Sequence, residues 1–169
     1  MSHAILAGTA YKSVKIKSSH VLTLCIIGSI IPDADVLGFQ FGISYADMLG
    51  HRGFTHSILF AIIYAFSCLL FFLKEEKKTK IKLFFLFFFS IMSHGFLDML
   101  TNGGLGVGLF IPWTEERYFF PLTPIEVSPI GAHFFSKRGA TVILNELLFI
   151  WLPCALVQIV FKLKKLIYT

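Results

Sequence analysis

The sequence predicts an all-α membrane protein, a helical bundle of about four main membrane segments with a short N-terminal helix and an irregular outer cap. Of its 169 residues, 56% are hydrophobic and 15% are charged, whereas soluble domains have roughly 45–50% and about 25%. Several apolar runs are as long as the roughly 17–25 helical residues that cross a bilayer. Lys and Arg lie in short clusters between these runs, which is typical of membrane topology. Residues 1–169 are therefore predicted to form a single membrane-embedded domain.

The predicted elements follow from where the apolar runs begin and end. A short apolar stretch at the N-terminus predicts a helix too brief to span a bilayer. Residues 102–141 are rich in Gly, Pro and aromatic residues, and such a long connection predicts a folded cap rather than a linker. The four predicted membrane segments cover residues 19–31, 56–73, 81–101 and 142–161.

The basic residues predict the orientation of these segments. If each run crosses the membrane once, eleven of the 15 basic residues fall on one face, and the positive-inside rule makes that face cytoplasmic. Both termini are then expected on the cytoplasmic side, and the polar ends of the runs face outward. The net charge of +5 is explained by this pattern, so no nucleic-acid partner is predicted. The eleven are Lys12, Lys15, Lys17, Lys74, Lys77, Lys78, Lys80, Lys82, Lys162, Lys164 and Lys165.

Ionisable residues in the runs cluster at the outer level, and each is a functional-site hypothesis because burying it in a membrane is costly. His94 and Asp98 are four residues apart, so on a helix they share one face. They could offer two ligands to a cation, or they could hydrogen-bond to each other. Thr101 continues that face and is a candidate substrate contact.

Two carboxylates follow Pro32, which is expected to end the helix before it. In an extended turn, Asp33 and Asp35 would point the same way. Such a pair needs a positive charge between its members, which a divalent metal would supply. A simple solvated turn is the alternative, because Pro and Asp are ordinary turn residues.

The segment Gly50-His51-Arg52-Gly53-Phe54-Thr55-His56-Ser57 is the densest polar motif. Its two glycines allow the chain to bend sharply, and Thr55 or Ser57 can cap the helix that follows. His51 and His56 cannot share a face of one regular helix, but one in the loop and one at the helix start could converge. A polar interfacial turn is the alternative.

Imidazole and carboxylate ligands without thiolate favour a divalent metal, Zn above all, with Mn or Fe as alternatives. The candidates exceed one tetrahedral site and predict two ions, an arrangement that suits hydrolysis of phosphate esters. The predicted metal ligands are His3, Asp33, Asp35, His51, His56, His94 and Asp98. The predicted catalytic carboxylates are Asp33, Asp35 and Glu146, and the predicted substrate contacts are Arg52, Thr101, Arg117 and Arg138.

Several segments together resemble the bacterial membrane-bound metal-dependent hydrolases, the YdjM-like inner-membrane family. The resemblance covers essentially the whole chain and is carried by SHAILAG, IIPDAD, GHRGFTHS, SHGFLDMLTNGG, IPWTEERYFFPLTPIEVSPIG and FFSKRG. It implies the bacterial inner membrane and a distant similarity to zinc-dependent phospholipase C, an all-helical bundle that holds a zinc cluster.

The resemblance also implies roles for single residues. His94 and Asp98 would be metal ligands, as would His51 or His56. Asp33 or Asp35 would be a ligand or the general base, and His3 would be the ligand near the N-terminus. Glu146 has no His four residues before it, where that phospholipase has a His-x-x-x-Glu pair.

The sequence therefore favours a membrane-embedded hydrolase that cleaves a phosphoester from the outer leaflet, with a phospholipid of the surrounding bilayer as a candidate substrate. A transporter or channel would also explain intramembrane His and Asp, but it predicts internal repeats, and none is evident. A third reading is a membrane scaffold that uses metal only to fold.

Overall fold

The computed structural model describes residues 2–13, 18–129 and 135–167. Within these ranges it is all-helical and contains no strand, only two isolated bridges in the cap, which confirms the predicted fold class. The α-helices are α1 (Ser2–Ser13), α2 (Ser19–Ile30), α3 (Ile58–Leu69), α4 (Lys77–Met99), α5 (Lys137–Glu146) and α6 (Leu152–Ile167). Short 3₁₀ helices cover Ile31–Phe41, Phe54–His56 and Leu70–Phe72, and a π-helical segment covers Leu147–Trp151.

In the part of the chain that the structure describes, three helical stretches are long and apolar enough to cross a membrane, Ser19–Phe41, Lys77–Met99 and Lys137–Val160. The apolar helix Ile58–Phe72 is shorter. The predicted bundle of four segments is thus confirmed. The segment predicted to be the shortest, residues 19–31, is part of the long stretch Ser19–Phe41. The reason is that the chain continues from α2 as a 3₁₀ helix through Phe41.

The α-helix α2 ends at Ile30, before Pro32, as predicted, but the prediction that Pro32 opens an extended turn is wrong. Pro32 occupies the first turn of the 3₁₀ helix, where its fixed φ suits a helix and its missing N–H is not needed. A 3₁₀ helix has three residues per turn, so residues two apart lie on different sides. Asp33 and Asp35 therefore do not point the same way, and they contact different partners.

Helix α4 is the centre of the bundle and packs against α1, α2 and α3. Phe87 and Leu83 of α4 are fully buried with Cys25 of α2 and Ala65 of α3. Many large apolar side chains on the outer faces remain exposed, among them Leu144, Leu148, Phe149, Leu152 and Leu156. A protein surrounded by water rarely exposes so much apolar surface, whereas lipid covers such faces in a membrane.

The cap folds back over the C-terminal end of α4. The Asn102 amide donates to the Ile125 carbonyl (2.9 Å), and the Ile125 amide donates to the Leu100 carbonyl (3.1 Å). The cap was predicted to extend through residue 141, but α5 already begins at Lys137, where Ser136 caps it by accepting from the Gly139 amide. His133, which we expected to lie on this cap, is outside the described residues.

Helix α1 returns along α2, so its first residues lie at the same end of the bundle as Asp98. The Ser2 hydroxyl donates to Glu146 Oε2 (2.5 Å) and accepts from Trp151 Nε1 (2.9 Å). The expectation that both ends of the chain lie on the lysine-rich side is therefore wrong for Ser2 and His3. The α1 arm brings the predicted ligand His3 to this end of the bundle, where its ring stacks on that of His94 (centroids 3.9 Å apart).

Candidate metal centre

Four predicted ligands from three elements meet at one point. Each contributes one ligand atom, and these atoms all lie within 4.8 Å of one another. The Nε2 atom of His94 is 3.2 Å from Asp33 Oδ1 and 3.6 Å from Asp98 Oδ2, and the Nε2 atom of His56 is 3.3 Å from Asp98 Oδ2. Asp33 comes from the 3₁₀ helix after α2, His56 from the turn before α3, and the other two from α4.

Both imidazoles are held so that Nε2 faces this point. His94 Nδ1 lies 2.8 Å from the Ser29 carbonyl oxygen, which can only accept, so Nδ1 carries the proton. His56 Nδ1 lies 3.0 Å from Thr55 Oγ1 and 3.3 Å from an Asp35 oxygen. In a neutral ring this leaves the Nε2 lone pair free, which is how proteins orient histidine ligands of metals.

The donor set fits a cation. His56 Nε2 and Asp98 Oδ2 are buried and have no hydrogen-bond partner among the described residues, an arrangement that is costly when nothing compensates it. Two carboxylates beside two imidazoles attract positive charge, so this group of four could hold a metal ion.

The other three predicted ligands flank the group of four. His3 stacks on His94, and its Nδ1 atom is buried without a hydrogen-bond partner among the described residues. His51 and Asp35 form a hydrogen bond with each other (Nδ1 to Oδ1, 2.6 Å), and neither belongs to the group of four. The described residues provide one group of four, and the two-ion arrangement stays a prediction.

Asp35 organises the loop that carries His56. Its Oδ1 atom accepts from His51, and its Oδ2 atom accepts from the Arg52 amide (3.1 Å) and the Thr55 hydroxyl (2.6 Å). Its side chain is only 2% exposed. The sequence predicts that Thr55 or Ser57 caps α3. Ser57 is the N-cap and accepts from the Phe60 amide, whereas the Thr55 hydroxyl donates to Asp35.

Two of the three arginines predicted to bind phosphate, Arg52 and Arg117, are engaged within the protein. The buried Arg52 guanidinium donates to the Gly103 carbonyl (2.8 Å) and to Thr101 Oγ1 (3.0 Å). Its Nε atom lies 3.3 Å from Asp98 Oδ2. Arg52 thus joins the cap to the centre, and Thr101 contacts Arg52 while lining the adjacent cavity.

Arg117 and Arg138 lie in different surroundings. Arg117 donates to backbone carbonyls of the loop before α3, among them those of His51 (3.0 Å) and Asp47 (3.0 Å). It therefore fastens that loop to the cap. Arg138 lies on the exposed first turn of α5 and is not among the described residues that line the cavity.

A cavity of about 410 Å³ adjoins the centre on the side of Asp33. The Asp33 side chain is 49% exposed, whereas those of His56 and His94 are fully buried. Glu146 reaches the cavity from α5 while accepting from Ser2. Other lining residues are His3, Val36, Tyr45, His51, Arg52, Leu97, Asp98, Thr101, Gly104, Ile125, Glu126, Val127, Ser128, Pro129 and Ile150.

Sequence reasoning missed the groups that hold the ligands in place. Ser29 orients His94 through its backbone carbonyl, and no sequence signal marks a carbonyl for that role. The sequence does not single out Tyr45, whose ring packs edge-on against His51 (centroids 5.2 Å apart), because a tyrosine in a loop has no spacing that marks such a contact.

These features define a helical membrane protein with an internal His/Asp centre beneath a folded cap. The family model described as YdjM inner membrane protein matches residues 1–165, and the chain belongs to this family. It is 39% identical over 140 residues to Inner membrane protein YbcI of Escherichia coli (strain K12), a match that covers 82% of this chain and 81% of that protein. No solved structure matches the chain. The inner-membrane location is thereby confirmed, while the likeness to phospholipase C stays a prediction.

Proposed function

We propose that this protein is a membrane-embedded metal-dependent hydrolase that cleaves a phosphoester. The observation that carries the proposal is a convergence of four ligand atoms with one accessible side, where the half-exposed Asp33 borders the cavity. Structural metal sites are closed by protein ligands, whereas catalytic sites keep a position open for water or substrate. A scaffold that bound metal only to fold would not need this opening.

The residues of the chain have separable roles in this proposal. Asp33, His56, His94 and Asp98 would hold the cation, and Arg52 would keep Asp98 in place. A divalent cation held there would lower the pKa of a water ligand, so that the water could attack near neutral pH. The cap residues 125–129 cover the cavity and limit access to bulk solvent.

Charge balance favours a phosphodiester over a phosphomonoester. The three carboxylates of Asp33, Asp35 and Asp98 carry three negative charges, and Arg52 with a divalent cation would carry three positive charges, so the loaded centre has no surplus positive charge. Glu126 and Glu146 also line the cavity and add no positive charge to it. A neutral centre gives less stabilisation to a dianion than one with surplus positive charge, and a phosphodiester brings only one negative charge. Apolar side chains form another wall of the cavity, among them Val36, Leu97, Ile125 and Ile150. A membrane phospholipid combines a phosphodiester with such an apolar body.

The test measures metal content and turnover on the same protein. We expect protein purified in detergent to hold a divalent metal by elemental analysis and to cleave bis(p-nitrophenyl) phosphate faster than p-nitrophenyl phosphate. His94→Gln should lose most of the metal, because Gln provides no imidazole nitrogen. His20→Gln, at an exposed position at the start of α2, is the matched control and should keep it. If the protein holds metal without turnover, it is a metal-stabilised scaffold. If it holds no metal, the assignment of these four residues as a metal centre is refuted.

The orientation of the centre in the membrane is a second expected result. The lysine-rich start of α4 and its Asp98 end lie at opposite ends of one 23-residue helix, so positive-inside topology places the centre toward the outer face. We expect Lys78→Cys to be shielded from an impermeant thiol reagent in intact cells, and Leu105→Cys to be labelled. Cys25, Cys68 and Cys154 are buried and should give a low background. Labelling of residue 78 together with shielding of residue 105 would show that the protein has the opposite orientation in the membrane.

A further inference from the structure

We infer that His51 is the catalytic base of the proposed hydrolysis, with Asp35 as the residue that positions it. The inference rests on the proposed function and assigns its proton-transfer step. It departs from the sequence-based expectation, in which His51 is a metal ligand and a carboxylate is the base.

The first observation is the fixed tautomer of His51. Its Nδ1 atom lies 2.6 Å from Asp35 Oδ1, and the carboxylate can only accept, so Nδ1 carries a proton. In a neutral ring the Nε2 lone pair then remains available to take another proton. The edge-on ring of Tyr45 (centroids 5.2 Å apart) and that of Phe39 (6.3 Å) restrict the imidazole to this orientation.

The second observation is where the free nitrogen lies. His51 lines the cavity, and its ring centroid is 5.8 Å from that of His56, one of the four grouped residues. Among the described residues, none forms a hydrogen bond with Nε2 of His51. Our inference requires that a water or substrate oxygen in the cavity between the centre and His51 meets this nitrogen, directly or through one further water.

The third observation is that the carboxylates predicted as bases are engaged elsewhere. Both oxygens of Asp35 accept hydrogen bonds, and its side chain is 2% exposed. Asp33 belongs to the group that would hold the cation. Glu146 accepts from the Ser2 hydroxyl, which in turn accepts from Trp151. One carboxylate oxygen of Glu146 is therefore engaged in a hydrogen bond to the first residue of α1.

The proton-transfer step balances without any further reactant. As the oxygen of the attacking water bonds to phosphorus, Nε2 of His51 takes one of the water protons. The bond between phosphorus and the leaving oxygen, on the side opposite to the attacking water, breaks, and that oxygen takes a proton from another water of the cavity. Nε2 of His51 then passes its own proton to solvent. The products are an alcohol and a phosphomonoester, and His51 returns to its neutral form.

The test compares His51→Asn with His56→Asn, using bis(p-nitrophenyl) phosphate as the probe substrate. The Asn amide can replace Nδ1 as the donor to Asp35, but it offers no nitrogen that accepts a proton. We expect His51→Asn to keep wild-type metal content while its turnover falls about 100-fold, the lower end for loss of a general base. Added imidazole should restore part of this turnover. His56→Asn should lose the metal and should not respond to imidazole.

A readout independent of activity uses carbethoxylation of histidine by diethyl pyrocarbonate, mapped by mass spectrometry with metal bound and after chelation. Because Nε2 of His51 would bind no cation, we expect the modification rate of His51, which is only 8% exposed, to be unchanged by chelation. The rates of His56 and His94 should rise, and exposed His20 is the positive control. Loss of metal in His51→Asn, or a modification rate of His51 that rises on chelation, would make it a ligand and overturn the inference. Full turnover of His51→Asn would also overturn it. If the wild-type protein holds metal but cleaves no ester, the proposed function itself is refuted, and the role of His51 as its base is refuted with it.

Discussion

Asp98→Asn should abolish metal binding and lower the thermal stability of the protein at the same time. Asp98 Oδ2 lies within 3.6 Å of both imidazole Nε2 atoms, so its loss removes the carboxylate at the middle of the group. The same oxygen lies 3.3 Å from Arg52 Nε, and Arg52 is only 4% exposed. Breaking a buried ion pair on one side leaves an uncompensated charge and costs about 3–5 kcal/mol.

Asp33→Asn is the matched control. Asp33 belongs to the same group of four predicted metal ligands, but the ion pair with Arg52 is formed by Asp98. Its side chain is 49% exposed and contacts His94 and His56. We expect it to weaken metal binding while the unfolding free energy of the metal-free protein changes by about 0.5 kcal/mol or less, as for most exposed positions. Metal titration and thermal unfolding in detergent with a chelator separate the two effects. Wild-type metal affinity in either variant would exclude that carboxylate as a ligand, and equal loss of stability would rule out the Arg52 explanation.

The bundle could be predicted because membrane helices are specified locally. An apolar run of sufficient length has few alternatives in a bilayer, since helices satisfy their own backbone hydrogen bonds. The His94–Asp98 pair was predicted for the same local reason, as a spacing of four residues places both on one helix face. Pro32 misled the prediction because the rule for residues before proline disfavours a helix, while the first helical turn tolerates proline well.

The partners of the site residues could not be predicted, because they are set by tertiary contacts. Arg52 binds the Gly103 carbonyl, and Arg117 binds the His51 carbonyl. Both acceptors are backbone groups far away in the sequence, and every residue has such a group. Asp33 and Asp35 look equivalent in the sequence, and only the helical path through Pro32 sends one to the cation group and the other to His51.

Gly50→Ala should disrupt the centre, although Gly50 contacts none of its ligands. A Cβ atom at this position would lie 2.1 Å from the Ser44 carbonyl oxygen and 2.5 Å from that of Tyr45. Both are backbone atoms, so the loop itself would have to move. Arg117 fastens the same loop through the Tyr45 and His51 carbonyls, and His51 follows Gly50 directly.

We expect Gly50→Ala to destabilise the protein by about 3 kcal/mol, the upper end for overpacking, and to lower its metal affinity by displacing the loop that leads to His56. Gly8→Ala is the matched control, because a Cβ there meets nothing within 4 Å. Ala is also favoured over Gly within a helix by up to about 1 kcal/mol, so Gly8→Ala in α1 should leave stability unchanged or raise it. Thermal unfolding and metal titration of both variants check this. Wild-type metal affinity in Gly50→Ala would mean that the loop can shift without moving His56, and that the ligand is held by Ser57 and α3 rather than by the loop before it.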